Sequence, residues 1–318
     1  MKSKKKIVIT GAEGFIATNL IFKLSNIKGY KLFGIDSSIA KSSNKNFTKD
    51  IIRIEKLDIT SSEKLLNLID GADLIVHLAA KGNVIESISN PLENFNSNAY
   101  STLVLLETMR KANVQNIVFA STGGALMGNT IPPVNEKSLP LPISPYGASK
   151  LCCEGYLSSY ANSFNINSIT LRFGNVYGNF SSHKKGVINK WIRNSIKNRP
   201  IEIFGDGKST RDYIHVDDIC DGIIASIARL LNNKSHTFER YHLGNNQEIS
   251  LIELSNIIEE FSKKKLLRNF KDLREGEVIR NCADYSLAKK ILKFKPKKEF
   301  EKEIPNLYDW IRINEFNY

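Results

Sequence analysis

A short apolar strand runs directly into a glycine-rich turn at the start of this 318-residue chain. Residues 6–10 are followed by Gly11-Ala12-Glu13-Gly14-Phe15-Ile16-Ala17, which opens a predicted helix at 14–27. Glycine permits a tight turn and lets the backbone approach a phosphate, while a helix N-terminus offers unpaired N–H groups. We therefore predict that this turn binds the pyrophosphate of a dinucleotide. The candidate cofactor-binding residues of the turn are Gly11, Gly14, Phe15 and Ile16.

Short apolar runs alternate with helical patterns through the first 175 residues. The runs lack polar alternation, as do strands that are covered on both faces of a sheet. Strands are predicted at 6–10, 31–36, 51–58, 73–80, 116–121 and 167–173. Helices are predicted at 14–27, 61–70, 90–112 and 145–164, and capping boxes at Thr60-x-x-Glu63 and Ser250-x-x-Glu253. This order predicts an α/β fold with a doubly wound parallel sheet, the Rossmann arrangement.

The pattern changes near residue 175, where the loops lengthen and glycines separate shorter elements. A strand at 213–216 and a helix at 217–231 are again typical of the earlier layer. We therefore predict a Rossmann domain at 1–175, to which the chain returns at about 212–245. A smaller, interleaved α/β substrate-binding domain is predicted at 176–318.

Composition and charge restrict the class of protein. An apolar fraction of 42% excludes a disordered or fibrous chain, whereas the net charge of +12 admits a nucleic-acid-binding protein as a distant alternative. No stretch approaches the roughly 20 apolar residues of a membrane span, and none resembles a signal peptide. The four cysteines lack the spacing of a zinc site or a disulfide framework. We therefore expect a cytoplasmic protein without a structural metal, and we interpret the basic stretch 263–302 as a solvated face.

Two aspartates close predicted strands on the side where a dinucleotide would lie. Asp36 ends the second strand, 25 residues after Gly11, and Asp58 ends the third. A carboxylate at the first position accepts hydrogen bonds from the adenosine ribose hydroxyls and repels a 2′-phosphate, so NAD is favoured over NADP. The alternative for Asp36 is an ordinary aspartate at a strand end. Asp58 is a candidate partner of the adenine amine.

The segment Tyr146-Gly147-Ala148-Ser149-Lys150 places a phenol and an ammonium on one face of a predicted helix. We expect Lys150 to lower the pKa of Tyr146 from about 10, which makes Tyr146 a candidate general base. The same spacing occurs at Tyr285 and Lys289, which we attribute to chance because no cofactor strand precedes them. Thr122 follows a predicted strand and offers a hydroxyl to a reacting oxygen, although the neighbouring Ser121 remains an alternative.

Together these residues resemble the extended short-chain dehydrogenase/reductase family, in its NAD-dependent nucleotide-sugar epimerase/dehydratase branch. The likeness covers nearly the whole chain, and the set of motifs in this order is specific to the family but not to one substrate. The matching segments are 11–17, Asp36, 58–59, 77–80, 121–128, 146–150, 171–178, 203–207, 211–218 and 274–277.

The resemblance implies roles for the residues that match the family's motifs. Tyr146 would be the catalytic base, Lys150 would also bind the nicotinamide ribose of NAD, and Thr122 would assist. The remaining cofactor contacts would be Ile59 beside Asp58, with Leu78, Ala79 and Ala80 along the cofactor channel. The remaining substrate contacts would be Ser87 at the sugar, Asn175, Arg211 and Arg274 at the diphosphate, and Val187 and Phe204 at the nucleotide base. Arginine matches phosphate oxygens with its planar fork, although a surface ion pair is the alternative for each arginine.

Departures from the family pattern narrow the expected reaction. Ala17 replaces a commoner glycine, and Met127 replaces a tyrosine. Gly123-Gly124-Ala125 follow Thr122, where the dehydratases of the family carry an Asp-Glu pair and the uronate decarboxylases a glutamate. Elimination needs a positioned acid and base, so the resemblance favours an epimerase over a dehydratase. Asn281 is smaller than the tyrosine that some epimerases carry at this position of the sugar pocket, which favours N-acetylated sugars.

The resemblance therefore implies an NAD-dependent isomerase that inverts C4 of a nucleotide sugar through a 4-keto intermediate. The expected substrate is a UDP-hexose or a UDP-N-acetylhexosamine. The alternatives within the fold are a nucleotide-sugar reductase or dehydrogenase and a UDP-uronate epimerase. The family often forms dimers through helices equivalent to 90–112 and 145–164, so we expect a homodimer and neither a nucleic-acid nor a membrane partner.

Overall fold

Seven parallel strands form the central sheet of the computed structural model, which describes residues 3–38, 51–182, 184–232, 238–274 and 276–316. The strands of the described residues are β1 (Lys5–Thr10), β2 (Tyr30–Asp36), β3 (Arg53–Lys56), β4 (Leu74–His77), β5 (Asn116–Thr122), β6 (Asn167–Phe173), β7 (Asn175–Tyr177), β8 (Ile201–Phe204), β9 (Thr210–His215), β10 (Phe238–Leu243), β11 (Glu248–Ser250) and β12 (Arg268–Lys271). The sheet order is β10-β6-β5-β4-β1-β2-β3. Because the chain order reverses between β1 and β4, a crevice opens at the carboxyl ends of these strands. The predicted doubly wound α/β fold is confirmed.

Helices connect and cover these strands. Those of the described residues are α1 (Phe15–Ser25), α2 (Ser62–Ile69), α3 (Val84–Ser89), α4 (Pro91–Phe95), α5 (Ser101–Lys111), α6 (Gly124–Met127), α7 (Pro145–Phe164), α8 (Val187–Ile196), α9 (Val216–Asn232), α10 (Leu251–Ser262), α11 (Ser286–Leu292) and α12 (Phe300–Phe316). A π-helical turn, Asn96–Tyr100, joins α4 to α5. The helix predicted at 90–112 is therefore present but is not one regular α-helix.

The two predicted capping boxes have different outcomes. The box at Ser250 and Glu253 is confirmed, because each side chain bonds the backbone N–H of the other residue. The box at Thr60 is wrong, because the N-cap of α2 is Ser61 and the Thr60 hydroxyl donates to Asp58 Oδ1 at 2.8 Å. A short Asx-type turn after β3 competes successfully for the threonine hydroxyl.

The central sheet is buried on both faces, as the unbroken apolar runs predict. In β1, Ile7 and Ile9 pack beneath α1 and α9, while Val8 faces the opposite layer of α2, α5 and α7. All three side chains are fully buried. Since successive side chains of a strand point to opposite faces, three consecutive aliphatic residues suit a strand between two helical layers. Each contributes roughly 1.5–3 kcal/mol by leaving water.

The second half of the chain builds smaller sheets around a separate apolar cluster. One sheet has the order β11-β9-β7, and the other pairs β12 with β8. Their core includes Trp191, Leu254 and Phe300. The strand predicted at 213–216 lies in β9 and so belongs to this smaller sheet, whereas α9 and β10 return the chain to the central sheet. The division into domains at residue 175 stays a prediction.

A buried chain of polar side chains joins the ends of β1 and β4 to the π-helical turn. Thr10 Oγ1 lies 2.6 Å from His77 Nδ1, and His77 Nε2 lies 3.1 Å from Thr102 Oγ1. The Thr102 hydroxyl donates to Asn98 O at 2.6 Å, so we assign the ring proton to Nε2 and the acceptor role to Nδ1. Burial lowers the pKa of His77 to about 3, with a smaller effect of Lys150. His77 is therefore neutral at physiological pH.

We expect His77→Gln to reduce the pH dependence of stability. Because the pKa of His77 is about 3 in the folded chain and its ordinary value is 6.5, the unfolded chain binds an extra proton between these limits, and stability is lost as the pH falls. Urea unfolding between pH 4.5 and 6 should show a slope smaller than that of the parent by about 1.4 kcal/mol per pH unit. Asp212, whose pKa burial raises to about 6, has an opposing effect that cancels in this comparison. Equal slopes in the two proteins would contradict the assignment.

Candidate active site

The glycine turn after β1 is packed against the exit of β4. Gly11 has φ +69°, and a Cβ on it would lie 2.7 Å from Ala79 N and 2.8 Å from Ala79 Cα. The Gly14 N–H donates to Gly11 O at 2.9 Å, and α1 then begins at Phe15. Among the described residues, no side chain caps the first N–H groups of α1. This uncapped helix N-terminus beside bare backbone fits the pyrophosphate of a dinucleotide.

The two predicted acids lie next to this turn. Asp36 Oδ2 accepts from the Glu13 N–H at 3.0 Å, and Asp36 Oδ1 accepts from the Ser38 N–H at 3.0 Å. The carboxylate is thereby fixed beside the turn while keeping lone pairs for ribose hydroxyls. Asp58 Oδ1 accepts from the Thr60 N–H at 2.9 Å, and Ile59 is buried next to it. The arrangement fits the adenosine half of a dinucleotide.

Tyr146 and Thr122 meet at the carboxyl edge of the sheet. Thr122 lies close enough to the Tyr146 phenol to lower its pKa slightly, and Tyr146 Oη lies 3.7 Å from the place where Gly82 would carry a Cβ. The Tyr146 N–H donates to Ser87 Oγ at 3.2 Å, and Ser144 caps α7 by accepting from the Gly147 N–H. The phenol is thus held by its own helix, by β5 and by α3.

The electrostatics of this pair differ from the sequence prediction. Burial raises the pKa of Tyr146 to about 12, and the bond to Thr122 is a smaller, opposing effect. The Lys150 ammonium donates to Ala120 O at 2.8 Å and lies 4.6 Å from the centroid of the Phe119 ring. The prediction that Lys150 lowers the pKa of Tyr146 below its usual value is wrong for this structure, because desolvation dominates. Burial also lowers the pKa of Lys150.

The choice between Ser121 and Thr122 is decided by a buried ion pair. Ser121 Oγ donates to Glu154 Oε1 of α7 at 2.7 Å. Glu154 in turn binds Arg172 through two bonds of 3.0 Å and 2.7 Å, and both side chains are almost fully buried. Ser121 is therefore occupied in the interior, and Thr122 presents the hydroxyl next to the phenol.

Asn98 is a residue of this site that the sequence reasoning missed. Its Oδ1 accepts from the Lys81 N–H at 2.8 Å, and its Nδ2 donates to Ser149 Oγ at 3.1 Å. The π-helical turn places Asn98 towards the sheet, so it links the segment after β4 to the helix that carries Tyr146 and Lys150. Asn94 also bonds Lys81 O. The spacing of the two asparagines in an amphipathic helix was the available signal.

The predicted substrate residues lie on elements of the second half of the chain. The Arg274 guanidinium carbon is 3.3 Å from the centroid of the Phe204 ring. Arg211 donates to Thr210 O at 2.8 Å and to Glu277 Oε1 at 3.1 Å. Glu277 lies in the matching segment 274–277, but the sequence analysis assigned it no role. Val187 begins α8 directly after Gly186.

Asn175 and Asn281 lie together below the turn that follows Thr122. Asn281 Nδ2 donates to Asn175 Oδ1 at 3.4 Å; Asn281 is buried and Asn175 is half-buried. A Cβ on Gly124 would collide with the Asn281 amide. The absence of a side chain at Gly124 therefore makes room for Asn281. Ser87, which was expected at the sugar, is buried, and its hydroxyl donates to Val84 O while accepting from Tyr146.

Other sequence features have no part in this arrangement. Tyr285, of the second Tyr-Lys match, packs its ring against Phe294 in an apolar cluster. In the basic stretch, Arg268 pairs with Glu259 and Arg280 with Glu248, among other ion pairs. Within the part of the chain that the structure describes, no group of three or more His, Cys, Asp or Glu side chains is placed to hold a metal ion. No helix in the same residues is long and apolar enough to cross a membrane.

Comparison with known proteins shows the class of this protein. The model of the NAD dependent epimerase/dehydratase family matches residues 7–244, and the chain belongs to that family. A UDP-glucuronate 4-epimerase of Thermodesulfobacterium geofontis is 29% identical over 327 residues, which cover 96% of each protein.

Solved structures give the same result. The UDP-glucose 4-epimerase of Thermotoga maritima, solved with UDP-glucose, has a TM-score of 0.89 at 27% identity and covers 96% of this chain and 98% of its own. The UDP-glucuronic acid 4-epimerase of Bacillus cereus, solved with UDP-glucuronic acid and NAD, has a TM-score of 0.87 at 28% identity and covers 96% and 99%.

We expect Gly11→Ala to abolish NAD binding as well as to destabilise the fold. The added Cβ would clash with the backbone of Ala79 and would strain a residue at φ +69°. Gly71→Ala is the matched control, because Gly71 has φ +65° but no atom within 4 Å of the added Cβ. The control should lose only about 1–2 kcal/mol of unfolding free energy and keep its NAD affinity. Equal NAD affinity of the two variants by calorimetric titration would refute the assigned role of the turn.

Proposed function

We propose that this protein is an NAD-dependent epimerase that inverts C4 of a UDP-sugar through a transient 4-keto intermediate. The observation that carries the proposal is the half-buried pair of Tyr146 and Thr122 at the carboxyl edge of the same sheet that carries a glycine turn suited to a pyrophosphate. The similarity to UDP-sugar 4-epimerases over nearly the full chain supports it. The turn after Thr122 holds Gly123, Gly124 and Ala125, so it supplies no acid for the elimination that a dehydratase performs.

The cofactor site uses the residues described above. Gly11, Gly14, Phe15 and Ile16 would bind the pyrophosphate of NAD, Asp36 the adenosine ribose, and Asp58 and Ile59 the adenine. Leu78, Ala79 and Ala80 would line the channel, and Lys150 would bind the nicotinamide ribose. When bound, NAD supplies reversible hydride transfer at C4 of the sugar. An Asp36 carboxylate already fixed by backbone N–H groups disfavours the 2′-phosphate of NADP.

Tyr146 would move the proton of the sugar 4-hydroxyl. With a pKa of about 12, its phenol is protonated at neutral pH in this structure, so the base form must be stabilised when the site is filled. A cation brought into the site with the ligands would provide this, because an opposite charge nearby favours the ionised phenol. Thr122 would bond the reacting oxygen. Tyr146 Oη would hold the proton while C4 is oxidised and return it after reduction from the opposite side.

The second half of the chain would hold the nucleotide during this reaction. Arg211 and Arg274 are suited to the diphosphate because each guanidinium has N–H donors beyond those used in its present contacts. Val187 and Phe204 would flank the base, and Asn175 would join the diphosphate contacts. Because the nucleotide is anchored in this way, the 4-keto sugar can rotate in the pocket. Reduction of its other face then inverts C4. In this structure Ser87 acts on Tyr146, and a direct sugar contact stays a proposal.

The size of the sugar pocket depends on Asn281. Its side chain is packed against Gly124 and bonded to Asn175, and it is smaller than a tyrosine would be at this position. We infer that N-acetylated hexoses are accepted as well as UDP-glucose or UDP-galactose. The uronate alternative is supported by the similarity to UDP-glucuronate epimerases.

A panel of UDP-glucose, UDP-N-acetylglucosamine and UDP-glucuronate, followed by NMR at C4, tests this function. We expect redox-neutral interconversion of at least one pair, with Tyr146→Phe lowering turnover about 10²–10⁴-fold while NAD stays bound. Tyr285→Phe, in the second Tyr-Lys match, is the control and should keep full turnover. Stoichiometric consumption of added NADH would support a reductase instead, and full activity of Tyr146→Phe would overturn the base assignment. Turnover of UDP-glucose but not of UDP-N-acetylglucosamine would refute the wide pocket.

A homodimer is also proposed, because the helices at 91–111 and 145–164 leave large apolar side chains exposed. Phe95 and Tyr100 are each 49% exposed, and a Cβ on Gly155 would meet no atom within 4 Å, which permits close approach of a second helix. Sedimentation should give twice the mass of one chain. Phe95→Glu should yield monomers, whereas Phe270→Glu, at an equally exposed phenylalanine on β12, should not. A monomeric parent protein would contradict this proposal.

A cytoplasmic location stays a prediction.

A further inference from the structure

The segment between β7 and α8 crosses from the second half of the chain to the glycine turn. It begins near Asn179, whose carbonyl accepts from Asn19 Nδ2 of α1 at 3.0 Å. Ser181 Oγ donates to Gly178 O at 2.6 Å and accepts from Asn189 Nδ2 at 2.8 Å. The Lys184 N–H donates to Ser181 O at 2.8 Å. In the residues that the structure describes, hydrogen bonds therefore fix both ends of this segment.

Arg193 of α8 fixes the backbone of the same segment. Its guanidinium donates to Ser182 O at 2.5 Å and to Lys184 O at 3.0 Å. The remaining donors bind Glu315 of α12 through bonds of 2.6 Å and 3.0 Å. Arg193 therefore fixes the backbone carbonyl groups of Ser182 and Lys184 relative to α8, and Glu315 of α12 holds Arg193 in place.

Lys184 and Lys185 point to different partners. The Lys185 ammonium pairs with Glu86 of α3 at 3.0 Å. The Lys184 ammonium lies 5.9 Å from the centroid of the Phe15 ring, the first residue of α1 after Gly14. Among the described residues, no carboxylate pairs with Lys184 within 4.0 Å. Lys184 is exposed as a residue, while the protein atoms around its ammonium lower its pKa by desolvation.

Two sources of positive potential thus converge on the start of α1. One is the N-terminus of α1, whose N-cap Gly14 has no side chain, and the other is the Lys184 ammonium, which lies 5.9 Å from the Phe15 ring and pairs with no carboxylate of the described residues. We infer that Lys184 binds the pyrophosphate of the dinucleotide from the side opposite the glycine turn. This inference rests on the proposed NAD site. Bound NAD would then contact both α1 and the segment between β7 and α8, which is anchored to α8 and α12.

The diphosphate of the nucleotide sugar has the same chemistry, so the test must separate the two ligands. Lys184→Gln and Lys185→Gln each remove one charge from adjacent positions, and the second is the matched control because its lysine already has a partner. Protein freed of dinucleotide would be titrated calorimetrically with NAD and, separately, with UDP, each at two salt concentrations.

We expect Lys184→Gln to weaken NAD binding about tenfold and to reduce its salt dependence, because one charge-assisted bond to phosphate is lost. Lys185→Gln should leave NAD affinity unchanged, and Lys184→Arg should restore most of it. UDP affinity should be the same in all of these proteins.

A loss of UDP affinity in Lys184→Gln with unchanged NAD affinity would overturn the inference and assign the lysine to the substrate. Unchanged affinity for both ligands, or equal loss in both lysine variants, would overturn it as well. If the parent protein itself fails to bind NAD, the proposed function fails, which is a different outcome. Thermal unfolding of Lys184→Gln shows whether the variant is folded, and the Lys184→Arg result decides the question if it is not.

Discussion

The buried chain from Thr10 through His77 and Thr102 to Asn98 is the interaction on which the site depends. It joins the end of β1, the end of β4 and the π-helical turn inside the sheet, where an unpaired polar group is costly. Thr10 Oγ1 also accepts from the Ala79 N–H, the same amide that Gly11 approaches. Each member has a partner, so the carboxyl edge of the sheet is held in one arrangement.

The chain of hydrogen bonds continues from Asn98 to the helix that carries the reactive residues. Asn98 donates to Ser149 Oγ, and the Ser149 hydroxyl donates to Tyr146 O, in the turn that carries the phenol. The same dry surroundings that make these bonds strong raise the pKa of Tyr146 and lower those of Lys150 and His77. A site that holds its base in place by burial therefore holds it in the neutral form. Such a site requires positive charge from the bound ligands, because that charge stabilises the ionised phenol that accepts the proton.

Much of the fold was predictable from the sequence because its signals are local. The glycine turn, the unbroken apolar runs and Asp36 at the end of β2 depend on neighbours within a few residues and lie where they were expected, whereas Asp58 lies two residues beyond the end of β3. The predictions that were wrong involved competition between partners. Thr60 bonds Asp58 and does not cap α2, and the Lys150 ammonium binds Ala120 O and leaves desolvation to control the pKa of Tyr146. Neither outcome is encoded in residue spacing.

The sequence by itself determined the alternation of strands and helices in the central sheet, the resemblance to the family, and most of the residues that meet at the carboxyl edge of the sheet. The reason is that side-chain periodicity and glycine geometry act through the chain itself. Only the tertiary structure decided that Thr122 and not Ser121 faces the phenol, since the partner of Ser121 lies 33 residues away on α7. It also decided that Lys184 faces Phe15 while Lys185 faces Glu86. The physical reason is that contacts between segments distant in the sequence set the burial and the charged surroundings of each side chain. These surroundings determine which of two neighbouring residues of the same kind faces the site.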